Sequence, residues 1–338
     1  MWPGSRLGFS SLEKDNYTPI KRVEILDALR GLAALGVCLY HFGRGLPDGI
    51  LKQVCSHGNL GVDVFFVISG FVIPLWLDRT GGGLKQIPAF LLKRFVRLYP
   101  AYFAACTMIL AFWWISSLVP GYRGKEYGIE GGAISANILF LCDIVKMPWV
   151  IPVSWSLAIE WQYYILVPFA YLTLKSQRAL IRNTAVVLWI SMSFLPFERQ
   201  WVTAYGSIFA LGFLSYLRWK DLITLFSYTI LVVCAAFVYG MRFGIAPATT
   251  AALGSVAILM PFGGFRWMRS LGQISYSLYL THVFVGGRIT NLGLRFEENL
   301  LTRGSFLIAS ILSSILFAWF FFQWVEKPSH HGSQNIGN

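Results

Sequence analysis

Apolar residues occur along this chain in long uninterrupted runs, and they do not alternate with polar residues. Such runs are typical of helices that cross a lipid bilayer, whereas alternation would indicate the strands of a membrane barrel. We therefore predict an all-α fold, a polytopic helical membrane protein with about ten transmembrane helices. The predicted spans are 27–43, 60–77, 98–118, 153–174, 183–197, 201–217, 222–240, 246–262, 272–291 and 304–324.

These runs divide the chain into three parts. Residues 1–26 form a cytoplasmic N-terminal tail, residues 27–324 form the transmembrane domain, and residues 325–338 form a cytoplasmic C-terminal tail. The stretch 133–147 is apolar but too short and too polar to span the membrane. We expect it to lie at the interface or to re-enter the bilayer.

Composition and charge agree with a membrane protein. Of the 338 residues, 56% are hydrophobic and only 13% are charged, whereas about a quarter are charged in a soluble domain. The net charge of +12 would suggest nucleic acid binding in a soluble protein, but the basic residues here cluster in short loops between predicted spans. Their excess on one side puts both termini in the cytoplasm. We expect the lipid bilayer as a partner and no nucleic acid; the sequence indicates no oligomeric state.

The five cysteines form no CxxC pair or other pattern of metal ligands, so no metal is expected. Cys55 and Cys142 both fall in segments that we predict on the outside. Whether they form a disulfide stays open at this point.

Arg30 and His41 lie in the first predicted span, eleven residues and about three helical turns apart. They therefore share a face, roughly 16 Å apart along the helix axis. An imidazole suits a general base or a nucleophile, and a permanently charged guanidinium suits phosphate or carboxylate binding. The alternative is a buried, hydrogen-bonded His41 and an Arg30 that pairs with Asp27.

Two arginines, Arg94 and Arg97, stand at the inner mouth of the third span. Arginines three residues apart on a helix face similar directions and can bind a phosphate together. The alternative is ordinary anchoring by positive charge on the cytoplasmic side.

The fourth span begins with Trp155 and Ser156 and carries Glu160 roughly 10 Å below the outer surface. A carboxylate at that depth is costly unless it faces a cavity or a partner. We expect Glu160 to share a cavity with His41, where it orients that imidazole or binds a substrate hydroxyl. A structural ion pair with an arginine is the alternative.

Two further polar residues lie in predicted spans. Asp63, near the outer surface, either contacts substrate or caps its helix. His282 falls near mid-membrane, where an unpaired imidazole is costly. It is either a second histidine of the site or a buried, hydrogen-bonded one.

Together these segments resemble the membrane acyltransferase-3 family, in order and over nearly the whole chain. The resemblance rests on an Arg-x10-His pattern, an Arg-x-x-Arg pattern, a Ser-Leu-x-x-Glu pattern, a Gly-Val-Asp-x-Phe-Phe-x-x-Ser-Gly-Phe run, a Ser-Tyr-Ser-x-Tyr-x-x-His run, and a closing Glu-Lys-Pro. In this sequence these are Arg30 and His41, Arg94 and Arg97, Ser156 to Glu160, Gly61 to Phe71, Ser275 to His282, and Glu326 to Pro328.

The resemblance implies an O-acyltransferase of the bacterial inner membrane. It implies an acyl-CoA donor, most often acetyl-CoA, on the cytoplasmic side and a glycan or glycolipid acceptor on the outer side. The residues expected to act are His41, Glu160 and Arg30 in catalysis, Arg94 and Arg97 in donor binding, and Asp63, Ser156, Trp155 and His282 in substrate binding.

Two other classes of function fit ionisable residues within spans. A proton-coupled transporter or flippase of a glycolipid or small metabolite is one, although obvious inverted repeats with paired broken helices are missing. A structural scaffold in an envelope complex is the other.

Overall fold

The structure is a computed structural model that describes residues 19–79, 84–118, 131–262 and 264–329. The predicted N-terminal tail up to residue 18 and the predicted C-terminal tail from residue 330 lie outside these ranges. Within them the chain forms fourteen α-helices and no strand. The helices are α1 Pro19–Gly43, α2 Ile50–Ser56, α3 Gly61–Arg79, α4 Ile87–Ser117, α5 Gly131–Ile138, α6 Cys142–Val145, α7 Trp155–Leu174, α8 Ala179–Ser191, α9 Gly206–Trp219, α10 Leu225–Phe243, α11 Ile245–Leu259, α12 Arg266–Gln273, α13 Ser275–Gly293 and α14 Leu300–Phe321.

The predicted all-α membrane fold is confirmed in its coarse form. Five segments of the described chain are helical, long and apolar enough to cross a membrane. They are Glu24–Gly43, Ile50–Arg79, Ile87–Ser117, Leu225–Phe243 and Leu300–Ser329, and two shorter apolar helices lie at Ala179–Phe194 and Ile245–Leu259. The protein is therefore a multi-pass helical membrane protein. Each of the ten predicted spans coincides with a helix.

Several boundaries differ from the predicted ones. Helix α4 begins at Ile87, well before the predicted start at 98, with a proline in its first turn. A proline is tolerated there because that position needs no intrahelical N–H bond. Arg94 and Arg97 consequently lie inside a long helix and not in the loop before it. The stretch 133–147 forms the two short helices α5 and α6, joined through Phe140 in a left-handed backbone conformation.

Close contact between α3 and α9 depends on two glycines. A Cβ added to Gly212 would lie 2.0 Å from the Val67 carbonyl oxygen, and one added to Gly70 would lie 2.3 Å from the Phe209 carbonyl oxygen. Small residues let helix backbones approach in this way in membrane proteins. This approach fixes α3, and with it Ser69, against the centre of the helix bundle.

All five cysteines are free in the structure, so Cys55 and Cys142 form no disulfide there. Cys55 is buried against Gly43, whereas Cys142 lies near the Pro148 carbonyl group. The two thiols therefore belong to different parts of the fold.

Candidate active site

Helices α1, α3, α4, α7 and α13, with the end of α14, enclose a cavity of about 390 Å³ that we call the arginine cavity. Most of the charged residues singled out in the sequence face it. Its charged lining residues are Asp27, Arg30, Arg94, Arg97, Glu160, Glu326 and Lys327. The structure thus brings both predicted arginine motifs and the predicted carboxylate to one place.

Arg94 is a buried cation held by aromatic rings. Its side chain is only 6% exposed, and its guanidinium carbon lies 5.4 Å from the Phe90 ring centroid and 5.5 Å from that of Tyr164. Among the described residues, no carboxylate lies within 4 Å of it. Aromatic faces attract a cation without neutralising it. Arg94 therefore keeps its charge available to an anion in the cavity.

The other two arginines of the cavity are also weakly paired. The nearest carboxylate to Arg30 is that of Asp27, with 3.9 Å between nitrogen and oxygen. Arg97 makes no ion pair with any carboxylate that the structure describes. Three guanidinium groups with unused donors thus face a single cavity, which is an arrangement suited to a ligand with several phosphates.

Glu160 is bound by hydroxyl groups. Its Oε1 accepts a hydrogen bond from Ser69 and another from the Tyr164 hydroxyl, at 2.5 Å in the latter case. Ser156, Glu160 and Tyr164 are four residues apart along α7, so they share one face of the helix, and all three line the arginine cavity. The alternative, an ion pair of Glu160 with an arginine, is not formed within 4 Å among the described side chains.

His41 lies on a second cavity of about 590 Å³, which we call the histidine cavity. Helices α1, α4 and α13 and residues 150–152 form it. Its polar lining residues are His41, Arg44, Arg288, Thr290 and Asn291. The expectation that Glu160 shares a cavity with His41 is therefore wrong. The expectation rested on the similar depth that the helical rise gives to His41 and Glu160. It did not include the rotation of each helix about its own axis, which decides the cavity that a side chain faces.

A wall built around Tyr279 separates the two cavities. The Tyr279 hydroxyl donates a hydrogen bond to the Val153 carbonyl oxygen at 2.8 Å and lies 2.7 Å from Ser156 Oγ. Ser156 and Tyr279 line the arginine cavity, whereas the adjacent Pro152 and Leu280 line the histidine cavity. Ser156, which we predicted to bind substrate, is thus part of this wall.

His282 is buried completely behind His41 and lines neither cavity. Its Nδ1 lies 2.9 Å from the Tyr279 carbonyl oxygen and 3.1 Å from that of Leu278. A nitrogen that faces carbonyl oxygens carries the proton, so Nε2 is the acceptor nitrogen. That buried Nε2 has no hydrogen-bond partner among the residues that the structure describes, and the ring centroid of His282 lies 5.0 Å from that of His41. We predicted that His282 contacts substrate, but in the structure its ring packs against that of His41.

Asp63 and Trp155, also predicted to bind substrate, line neither cavity. Asp63 accepts a hydrogen bond from the Tyr239 hydroxyl, which joins α3 to α10. The Trp155 ring lies 6.3 Å from those of Phe66 and Tyr205, in an aromatic cluster. Both residues therefore make contacts that hold helices together, because the faces they occupy point away from the two cavities.

Sequence reasoning gave no role to several residues that line the arginine cavity. Tyr164 follows Glu160 by one helical turn, and that spacing could have indicated the pair. Ser69 lies in a run of the family resemblance, but on another helix, so spacing did not indicate its contact with Glu160. Glu326, after α14, accepts hydrogen bonds from Ser277 N at 3.1 Å and Ser277 Oγ at 2.5 Å. It is brought there by a π-helical turn at Phe322–Glu326, a feature that is frequent at functional sites.

Comparison with known proteins gives a consistent picture. A family model described as an acyltransferase domain matches residues 23–322. The chain is 32% identical over 191 residues to the O-acetyltransferase OatA of Staphylococcus aureus, a match that covers 54% of this chain and 30% of that protein. It is 29% identical over 196 residues to the peptidoglycan O-acetyltransferase OatA of Listeria monocytogenes, covering 54% of this chain and 29% of that protein. The chain thus matches less than a third of the length of these relatives. No solved structure matches it significantly.

Proposed function

Because this chain belongs to the acyltransferase-3 family, we propose that it is an integral-membrane O-acyltransferase that moves an acetyl group from cytoplasmic acetyl-CoA to a hydroxyl group of a glycan. The names of the two relatives support acetyl as the group transferred. One observation carries the proposal: helix α1 presents Arg30 to the arginine cavity and His41 to the histidine cavity. A site for an anionic donor and a site for a base are therefore joined by one rigid element.

In this proposal the protein lies in a bacterial inner membrane, with ten spans over residues 27–324 and both termini in the cytoplasm. The coincidence of every predicted span with a helix supports the count. The excess of Lys and Arg on the N-terminal side supports the orientation. The arginine cavity then opens toward the cytoplasm and the histidine cavity toward the outside.

The arginine cavity binds the donor. Arg94 and Arg97 contact the phosphates of coenzyme A, and Arg30, deeper along α1, lies beside the path of the thioester arm. Bidentate contacts from a planar guanidinium match phosphate geometry better than an ammonium does. Glu160 supports catalysis from this cavity by fixing Ser69 and Tyr164 and by offsetting the charge of the arginines.

His41 acts as the base. It takes the proton of the acceptor hydroxyl as that oxygen bonds to the carbonyl carbon of the thioester. The carbon–sulfur bond then breaks, and the thiolate of coenzyme A takes the proton back from the imidazolium. Transient acylation of His41 is the rival mechanism. In both, the thioester arm must pass the wall at Tyr279.

His282 positions His41 in this scheme. Its acceptor nitrogen, Nε2, receives a hydrogen bond from one ring N–H of His41, which leaves the other nitrogen of His41 to act on the acceptor. The two rings do not yet share a hydrogen bond in the structure. Catalytic hydrogen bonds are often long in a free enzyme and tighten when substrate binds.

The test is transfer by purified protein in lipid nanodiscs, with radiolabelled acetyl-CoA and extracted surface glycans. His41→Ala should lower transfer by at least about 10²-fold, whereas His57→Ala should not, because His57 is exposed and lies outside both cavities. Equal rates for His41→Ala and wild type at equal abundance would reject the role of His41. A transporter or a scaffold would neither hydrolyse nor transfer the acyl group.

Donor binding is tested separately with conservative variants. Arg94→Lys and Arg97→Lys keep the charge but lose the bidentate geometry, so the KM for acetyl-CoA should rise about tenfold. Arg79→Lys, at the exposed end of α3, is the matched control. An unchanged KM in both variants would mean that these arginines serve only to orient the protein in the membrane.

A further inference from the structure

The histidine cavity is positively charged. Besides His41, its charged lining residues are Arg44, directly after α1, and Arg288 on α13, and among the described residues that line it none is acidic. Neither arginine makes an ion pair with a carboxylate of the described chain.

Aromatic side chains hold both guanidinium groups in place. Arg44 donates a hydrogen bond from Nη2 to the Tyr40 hydroxyl at 2.7 Å and lies 4.6 Å from the centroid of that ring. Arg288 lies 4.7 Å from the centroid of the Phe112 ring. Stacking on an aromatic face orders an arginine while most of its N–H donors remain unused. The two cations are therefore positioned but not neutralised.

We propose that the acceptor carries an anionic group, a carboxylate or a phosphate, which Arg44 and Arg288 bind while a neighbouring hydroxyl of the same molecule meets His41. This inference rests on the proposed O-acyltransferase function and adds the chemical class of its acceptor. Arg44 follows His41 by three residues along the chain, so the anion and the reacting hydroxyl lie within about one sugar unit of each other, given a helical rise of about 1.5 Å per residue.

The rest of the cavity fits a sugar. Trp113, Phe284 and Ile109 give it apolar sides, and Thr290 and Asn291 give it neutral polar groups. Ligand sites commonly combine an apolar lining with a few placed polar groups that fix orientation. The two arginines would supply that orientation, because a charged hydrogen bond is directional and stronger than a neutral one.

The first test identifies the acylated unit in cells. Mass spectrometry compares surface glycans from a deletion strain with those from the same strain carrying the wild-type gene. We expect the O-acyl group that depends on the gene to lie on a unit that carries a carboxylate or a phosphate. An acyl group on a neutral unit would overturn this inference and leave the proposed function intact. If no acyl group depends on the gene, the proposed function itself fails.

The second test measures the acceptor KM of the purified protein, with de-O-acylated oligosaccharide from the wild-type glycan as the acceptor. Arg44→Gln and Arg288→Gln should each raise this KM by roughly ten- to a hundred-fold, the range for loss of a charged hydrogen bond, while the KM for acetyl-CoA stays constant. Arg295→Gln removes an exposed arginine from the segment after α13 that does not line the cavity, and should change neither constant.

Two outcomes of that measurement would overturn the inference. One is an acceptor KM that does not change in the double variant. The other is a rise in the acceptor KM of the variants that appears in nanodiscs of phosphatidylglycerol but not in nanodiscs of phosphatidylcholine. That result would identify a lipid headgroup as the anion bound by the arginines. The wild-type acceptor KM should also rise with salt, and that dependence should weaken in the double variant.

Discussion

The two ring nitrogens of His282 differ in their surroundings, and this difference makes its proposed role testable. Nδ1 faces two carbonyl oxygens, while Nε2 is buried without a partner beside His41. Because the carbonyl groups fix the tautomer, Nε2 can only accept a hydrogen bond. A side chain that places another hydrogen-bond acceptor at the position of Nε2 should therefore preserve the activity.

Two variants of His282 separate the nitrogens. The amide of glutamine reaches the position of Nε2, and the shorter asparagine reaches only that of Nδ1. His282→Gln should keep kcat within about tenfold of wild type, whereas His282→Asn should lose about 10²-fold, as when the residue that orients a functional histidine is removed. Equal losses in both variants, with lower abundance, would assign His282 to packing alone.

Glu160 lies among three arginines and away from His41, and Glu160→Gln should show this. Removing its charge leaves the cations of the arginine cavity less compensated, so the free protein should lose thermal stability. Coenzyme A should then raise the melting temperature more in the variant than in wild type, because its phosphates replace the lost negative charge.

The pH–rate profile provides the control for that prediction. With Glu160 in a different cavity from His41, the acid limb of the profile should stay where it is in the Gln variant. A displaced acid limb would show that the carboxylate acts on the imidazole, contrary to the separation of the cavities.

For single residues, the sequence indicated which charged side chains line a cavity better than it indicated the residues that they contact. Arg30, Arg94, Arg97 and Glu160, which we singled out as candidates for the site, line one cavity, whereas we expected Glu160 beside His41. Their neighbours Ser69 and Tyr279 fall in two runs of the family resemblance, but the sequence did not predict what either residue contacts. Contacts between distant helices depend on how each helix is rotated, which spacing along one helix does not fix.

Among the helices, α3 and α9 are in a contact that depends on small residues. The Gly212 Cα faces the Val67 carbonyl oxygen so closely that any side chain would push the helices apart. Helix existence followed from the apolar runs, but the start of α4 at Ile87 did not, because the basic residues before 98 interrupt the apolar pattern.

Gly212→Ala tests this contact against a matched control. The added methyl group would lie 2.0 Å from a backbone oxygen, so we expect a loss of about 1–3 kcal/mol in stability, the range for overpacking. Gly254→Ala also adds a methyl group beside Val67, but at an ordinary 3.8 Å, and should be nearly neutral. Thermal unfolding in detergent compares the two, and equal melting temperatures would contradict the proposed tight contact.

In the whole molecule, both ends of the described chain approach the same cavity. Asp27, early in α1, and Lys327, just after α14, both line the arginine cavity. The topology that we propose has both termini in the cytoplasm, and it therefore requires an even number of spans.

Reporter fusions check this arrangement. Green fluorescent protein fused to either terminus should fluoresce, because it folds in the cytoplasm, and alkaline phosphatase at either terminus should be inactive. Alkaline phosphatase at Lys52, in the segment after the first span, should be active and serves as the opposite control. Active phosphatase at only one terminus would require an odd number of spans.

The wall at Tyr279 has a consequence for the energy supply of the cell. The bacterial membrane in which we place the protein stores a proton gradient, and a continuous file of water through it would discharge that gradient. The hydroxyl of Tyr279 donates its hydrogen bond to the Val153 carbonyl oxygen, which has no proton to pass on. In the function that we propose, the contact that the acyl group has to pass would therefore also limit the leak of protons.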